Sequence, residues 1–170
     1  MENARVEAVT SHDLDLIERL TELEQSEFDD YALSQWLVTS FIQYGRTFAL
    51  FLDDEPIGVA VYWRNWHPST NVYLATISVR EDLRGQGLGK FFLEETLKHL
   101  GEDEVVKVRL TVDPGNTAAI NLYFDHFGFK PVKFQPHEYG QGEHRLVMEL
   151  DLRALLRNGI EAAQVESNAE

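Results

Sequence analysis

The chain reads as an α/β protein whose sheet is packed by helices on both faces. Two observations predict this. Apolar residues alternate with period two in some segments and recur at i, i+3 and i+4 in others, giving the order β-α-α-β-β-β-α-β-α-β-β. At 170 residues and 44% hydrophobic, the chain also carries enough apolar material for one self-sufficient core.

Alternation over Ala4 to Val9 predicts a short first strand. Thr10 and Asp13 form a T-x-x-D capping box opening a helix with Leu16, Ile17, Leu20 and Leu23 on one face. Glu22 to Tyr31 reads as a polar, acidic connection. A second helix places Leu33, Trp36, Leu37 and Phe41 together and ends at Gly45. Thr47 to Leu52 and Ile57 to Trp63 are strands joined by the Asp53-Asp54-Glu55-Pro56 turn. Arg64 to Thr70 is a hairpin loop, and Val72 to Val79 is a central strand. Phe92, Leu93, Leu97 and Leu100 line one side of the next helix. Val105 to Val112 is a strand closed by Asp113-Pro114-Gly115, after which a helix starts at Asn116. Lys130 to Phe134 and Arg145 to Leu152 form a last antiparallel pair. Residues 153–170 hold a weak helical pattern and a polar tail.

Composition narrows the chemistry. Without cysteine there is no disulfide framework, thiolate catalysis or thiolate metal site. The six histidines fall without H-x-x-x-H or H-E-x-x-H spacing, so no metal is expected. No apolar run approaches the roughly 18 residues that span a bilayer, and the start lacks a signal-peptide h-region. The expected location is the cytoplasm. A net charge of −14 argues against nucleic acid backbones and favours cationic partners, amines among them.

The run Arg84-Gly85-Gln86-Gly87-Leu88-Gly89-Lys90 lies between the central strand and the following helix. Glycines let a ligand approach the main chain, and the helix start offers unpaired N–H groups at the positive end of its dipole. Together they make an anion cradle, for phosphate above all. It is not a P-loop, because Phe91 follows Lys90 and Arg84 stands five before Gly89. Nor is it a dinucleotide fingerprint, whose third glycine would fall on Lys90. What fits is R-x-x-G-x-G, on Arg84, Gly87 and Gly89.

That pattern resembles the pyrophosphate signature of the GCN5-related N-acetyltransferases. A second segment, Asn116 to Phe129, resembles their N-x-x-A-x-x-L-Y-x-x-x-G-F helix. The resemblance spans Ala4 to Leu152, taken as one acetyltransferase domain (1–152), with 153–170 as a C-terminal helix and tail. It implies a GNAT-like mixed, mostly antiparallel central sheet and acetyl-CoA as co-substrate, without metal. Homodimers are common in that family, although no feature here demands one.

The resemblance also implies roles. Main-chain amides from Gly85 to Lys90 would hold the pyrophosphate, with charge from Arg84 and Lys90. The strand around Ile77, Ser78 and Val79 would splay and pair with the pantetheine amides. Asn116, also readable as a plain N-cap, would touch the coenzyme, and Tyr123 would protonate or hydrogen-bond the departing thiolate. The general base stays open. Relatives place an acid near Ala75 or Thr111, and neither is acidic here. A water chain, or one of Asp113, His137, Glu138 and the Glu27-Asp29-Asp30 loop, would take the proton instead. Tyr139, Trp63, Trp66 and His67 are candidates to contact the acceptor, a peptide or protein amine first and a polyamine second. A non-catalytic acyl-CoA-binding module, or an acyltransferase for longer chains, remains an alternative.

Overall fold

The computed structural model describes residues 3–10, 13–28 and 33–157. They fall into two compact units, Met1–Arg64 with Leu74–Leu97, and Asn65–Tyr73 with Lys98–Glu170.

The first unit orders its strands β1 (Ala4–Ala8), β2 (Arg46–Leu52), β3 (Glu55–Arg64) and β4 (Asn71–Val79), the last beginning in the second unit. β1 and β3 each pair antiparallel with β2, and the β2–β3 turn places Asp53 at φ 54°. Helices cover both faces. Ala49, Phe51, Val59 and Val61 pack with Ile17 and Leu20 of α1 (Leu14–Phe28) and Val38 and Ile42 of α2 (Gln35–Tyr44). On the opposite face Phe48 meets Tyr62 edge-on, and the Tyr62 hydroxyl lies 2.8 Å from that of Thr96 on α3 (Leu88–Glu102).

Three local readings need correction. The T-x-x-D box is not formed as such: Asp13 is itself the cap, its Oδ1 accepting from Leu16 N–H at 3.2 Å, so α1 starts later. The acidic connection is helical as far as Phe28, because Glu, Leu and Gln are good helix formers and Thr21 and Glu24 extend the Ile17–Leu20 stripe. On α2, Trp36 is 74% exposed, while Val38 and Ile42 face the core. A helix apolar on several sides does not reveal which one is buried. Gly45 does end α2, with φ −110°. Its need is space: a Cβ there would stand 2.9 Å from the carbonyl oxygens of Phe41 and Tyr62.

In the second unit, β7 (Arg145–Asp151) lies between β5 (Lys107–Val112) and β6 (Lys130–Gln135), antiparallel to both. α4 (Thr117–Asn121) passes directly into a π turn, Leu122–His126. Tyr123, Phe127, Phe129, Met148, Leu150 and Leu152 are buried in this unit. Residues 152–157 are helical; the tail expected beyond them lies outside the described residues. Seven strands with helices and mostly antiparallel pairing match the expected fold class.

Candidate active site

After β4 the chain makes a short 3₁₀ turn, Glu81–Leu83, and Arg84 N–H donates to Glu81 O at 3.1 Å. Gly85 and Gly87 then adopt φ of 76° and 80°, left-handed conformations that glycine accepts without strain. Leu88 is buried and pins the loop, whereas Arg84, Gly85, Gln86, Gly87 and Lys90 are exposed. The first bond of α3 runs from Phe91 N–H to Gly87 O at 3.0 Å, so the preceding N–H groups have no intrahelical acceptor. A Cβ at Gly85, Gly87 or Gly89 would meet nothing within 4 Å. The loop is therefore open and donor-rich at a helix start, which suits a diphosphate. Ile77 to Lys90 lie together in the first unit; Asn116 and Tyr123 belong to the second.

β4 does not keep regular alternation. Ala75 packs against the α1/α2 cluster, yet its neighbour Thr76 also turns to α1, donating its hydroxyl to Glu24 Oε1 at 2.8 Å. Ser78 follows at 3.4 Å to the same oxygen. Two consecutive side chains on one face mean the pleat is broken between Ala75 and Thr76. Glu24 is 1% exposed. Burial pushes its carboxyl above the usual carboxylate range, opposed by hydrogen bonds from Thr76, the Leu33 main chain and Ser78. Sequence reading missed it by placing it in a connection. The available signal was its position, seven after Ile17 and four after Leu20, on the buried stripe of α1.

In the second unit, Asn116 is the N-cap of α4, its Oδ1 accepting from Ala119 N–H at 3.0 Å. Tyr123 lies in the π turn, buried against Phe129 with ring centroids 5.6 Å apart. Burial alone pushes its phenol up to about 12, so it keeps its proton at neutral pH.

Thr111 and Tyr139 come together with a residue that sequence reading did not name, Tyr73. The Tyr73 hydroxyl lies 2.8 Å from Thr111 Oγ1 and 2.9 Å from Tyr139 Oη, and the last two are 2.8 Å apart. Each hydroxyl can donate once and accept once around this ring. Burial holds the Tyr73 phenol above the ordinary range. The Arg145 guanidinium lies 5.0 Å from the Tyr139 ring centroid, and Arg145 bonds the His144 carbonyl and the Glu143 carboxylate.

Of the substitutes proposed for the base, Asp113 and His137 are engaged in local bonds. Asp113 accepts from Gly115 N–H at 2.7 Å, closing its turn, and His137 Nδ1 accepts from Gly142 N–H at 2.8 Å. Glu138 is exposed. Glu27 belongs to the last turn of α1, and Asp29 and Asp30 lie outside the described residues. Trp63 packs against Phe41 in a tilted pair with centroids 5.2 Å apart in the first unit, while Trp66 and His67 are exposed in the second. Two concavities lie elsewhere, one of about 390 Å³ beside Arg19 and Arg80, the other of about 460 Å³ beside Lys130 and Leu155. Neither contains a predicted site residue.

Residues 13–129 match the model of the acetyltransferase (GNAT) family, and the chain belongs to that family. It is 28% identical over 165 residues to an N-alpha-acetyltransferase of Sulfolobus acidocaldarius, covering 88% of this chain and 94% of that protein. Other curated relatives match over only a quarter to a half of their own length. Two solved structures share the fold. The ribosomal-protein-S18-alanine N-acetyltransferase of Escherichia coli superposes with TM-score 0.74 at 23% identity, covering 88% of this chain and 94% of that one. The NatC complex bound to Gag peptide and CoA gives 0.76 at 18%, covering 88% and 98%.

Proposed function

We propose that this chain is an acetyl-CoA-dependent N-acetyltransferase whose acceptor is a peptide or protein amine, the N-terminal α-amine first. The observation that carries the reading is the R-x-x-G-x-G loop, with Gly85 and Gly87 in left-handed conformations at the start of α3. Its amides would hold the pyrophosphate, with Arg84 and Lys90 adding charge. The broken pleat of β4 favours main-chain pairing with pantetheine at Ile77 and Val79. Asn116 already caps α4 through Oδ1, which leaves its amide donors for the coenzyme.

The amine nitrogen attacks the thioester carbonyl carbon, the C–S bond breaks, and the electron pair leaves on sulfur. Tyr123, still protonated, supplies the proton that makes the leaving group a neutral thiol. The amine's own proton must go to a base or to water, which restores the tyrosine. With no cysteine available, direct attack is favoured over a covalent acetyl-enzyme.

The choice of α-amine follows from the same chemistry. At pH 7 roughly one lysine amine in 2,500 is neutral, but about one N-terminal α-amine in seven. A site without an acid at Ala75 or Thr111 suits the acceptor that needs the weaker base. The N-alpha-acetyltransferase relative supports this order. Tyr139, held by the hydroxyl ring, is the residue we assign to contact the peptide.

An amine panel (N-terminal peptides, lysine peptides with blocked termini, and polyamines), followed by release of coenzyme A thiol, tests the proposal. Turnover of unblocked peptides above the others is expected. Exclusive turnover of polyamines would overturn the acceptor. Coenzyme binding without turnover of any amine would point to a non-catalytic acyl-CoA-binding module.

A further inference from the structure

We infer that Glu24 is a positioning residue for the coenzyme: its carboxylate gathers the hydroxyls of Thr76 and Ser78 and so fixes the stretch of β4 main chain that meets pantetheine. This rests on the acetyl-CoA reading above.

The geometry is confined to the first unit. Thr76 and Ser78 sit at i and i+2, on one face of β4, and both hydroxyls approach Glu24 Oε1, at 2.8 and 3.4 Å. A single oxygen bound at both ends constrains the peptide groups on either side of Ile77, between them. The clamp begins directly after the break in the pleat at Ala75–Thr76, where the strand would otherwise return to regular alternation. Close by, Gly58 brings β3 against the same segment: a Cβ there would stand 2.6 Å from Ser78 O. Arg80 N–H then bonds Ile57 O at 2.8 Å and fixes the strand's exit toward the phosphate loop. Glu24 and the β3 contacts thus hold the segment from its two ends.

Energetics argue that the carboxylate serves more than stability. Position 24 lies on the apolar stripe of α1 beside Leu20 and is 1% exposed, so leucine would satisfy the packing there. A buried carboxylate is costly, and exchanging such a polar group together with its partners for apolar residues is often neutral or stabilising. What apolar residues cannot do is tie two successive same-face side chains of a distorted strand to one point. Nor is Glu24 placed as the base, since its bonded oxygen is occupied from the β4 side and the residue is closed to solvent.

The test is steady-state kinetics of the full chain, varying acetyl-CoA and acceptor separately, beside calorimetry with free coenzyme A and thermal melts. Wild type is measured first; failure to bind coenzyme A at all would overturn the acetyl-CoA reading, and this inference with it. Given binding, T76V and S78A should each raise KM for acetyl-CoA and Kd for coenzyme A by about three- to tenfold, the effect of one ordinary hydrogen bond. KM for the acceptor should stay put. E24Q, which keeps an acceptor oxygen, should recover most of the affinity that E24A loses and leave the kcat–pH profile unchanged. The combined E24L/T76V/S78A chain, which buries no polar remnant, should melt no lower than wild type yet bind coenzyme A at least tenfold more weakly. A lower melting point with unchanged coenzyme affinity would reduce Glu24 to a fold-stabilising group. Loss of the acidic limb of kcat in E24Q, with coenzyme affinity intact, would make Glu24 the base. Either result overturns the assignment.

Discussion

Glu24 and Glu149 sit in opposite electrostatic surroundings. The first is desolvated, and its carboxyl titrates above its ordinary 4.5. The folded state then holds the proton more tightly than the unfolded chain, so this contribution to stability is complete below 4.5 and is lost as pH rises through the folded value. E24Q removes the loss: its melting point relative to wild type should climb between pH 4 and pH 8. Glu149 accepts from Lys107 Nζ and Arg109 Nη2, each at 2.7 Å, and these bonds hold it below its ordinary 4.5. Its contribution is present above that value and lost as pH falls through the folded one. E149Q should therefore cost about 1 kcal/mol at neutral pH, typical of partly exposed pairs, and nothing in strong acid. Melting curves of both variants across pH check the two signs together. Tyr123 is the third residue whose titration matters. Because its phenol keeps its proton up to about 12, Y123F should lower kcat about a hundredfold, leaving coenzyme affinity within about twofold. In wild type no inflection assignable to this tyrosine should appear between pH 7 and 10.

At the level of elements, β4 is where packing and proposed chemistry meet. Gly58 on β3 has its Cβ position 2.6 Å from Ser78 O and 3.3 Å from the Phe92 ring, so any side chain there pushes β3 from β4 or displaces α3. G58A should destabilise by about 1–3 kcal/mol, the usual penalty for overpacking, and raise KM for acetyl-CoA. Denaturant melts and coenzyme titrations decide it; unchanged values in both would mean that the strands slide freely there. The glycine loop before α3 was legible in the sequence because its form resides in main-chain geometry, with Gly85 and Gly87 at positive φ, which glycine spacing reports directly. The strands and α3 were legible for a similar reason, since their periodicities are local. The rotation of α2 was not: Trp36 and Val38 are both apolar, and only the neighbouring sheet selects Val38. Tyr73 escaped because its partner, Tyr139, is distant in sequence, and Glu24 because its segment reads as a polar connection. The π turn at Tyr123 also left no signature, since one extra residue per turn barely alters an apolar pattern.

For the molecule as a whole, the dominant electrostatic fact is the charge of −14. Coenzyme A is itself an anion and would approach against this field, so under the proposed function its capture would depend on short-range main-chain donors at residues 85–90 rather than on attraction from afar. A cationic acceptor experiences the reverse, because summed surface charge raises its encounter rate at low ionic strength. Salt separates the two. The Debye length falls from roughly 30 Å at 0.01 M to 3 Å at 1 M, which removes the long-range part and leaves buried or hydrogen-bonded contacts nearly intact. For peptides rich in lysine beyond the reacting amine, kcat/KM should fall about tenfold or more across that range. For a neutral peptide with a free N-terminus it should change little, and KM for acetyl-CoA should hold or improve as repulsion is screened. Parallel salt titrations of the two peptides measure this. Equal slopes would show that the acidity serves solubility alone and plays no part in choosing the acceptor.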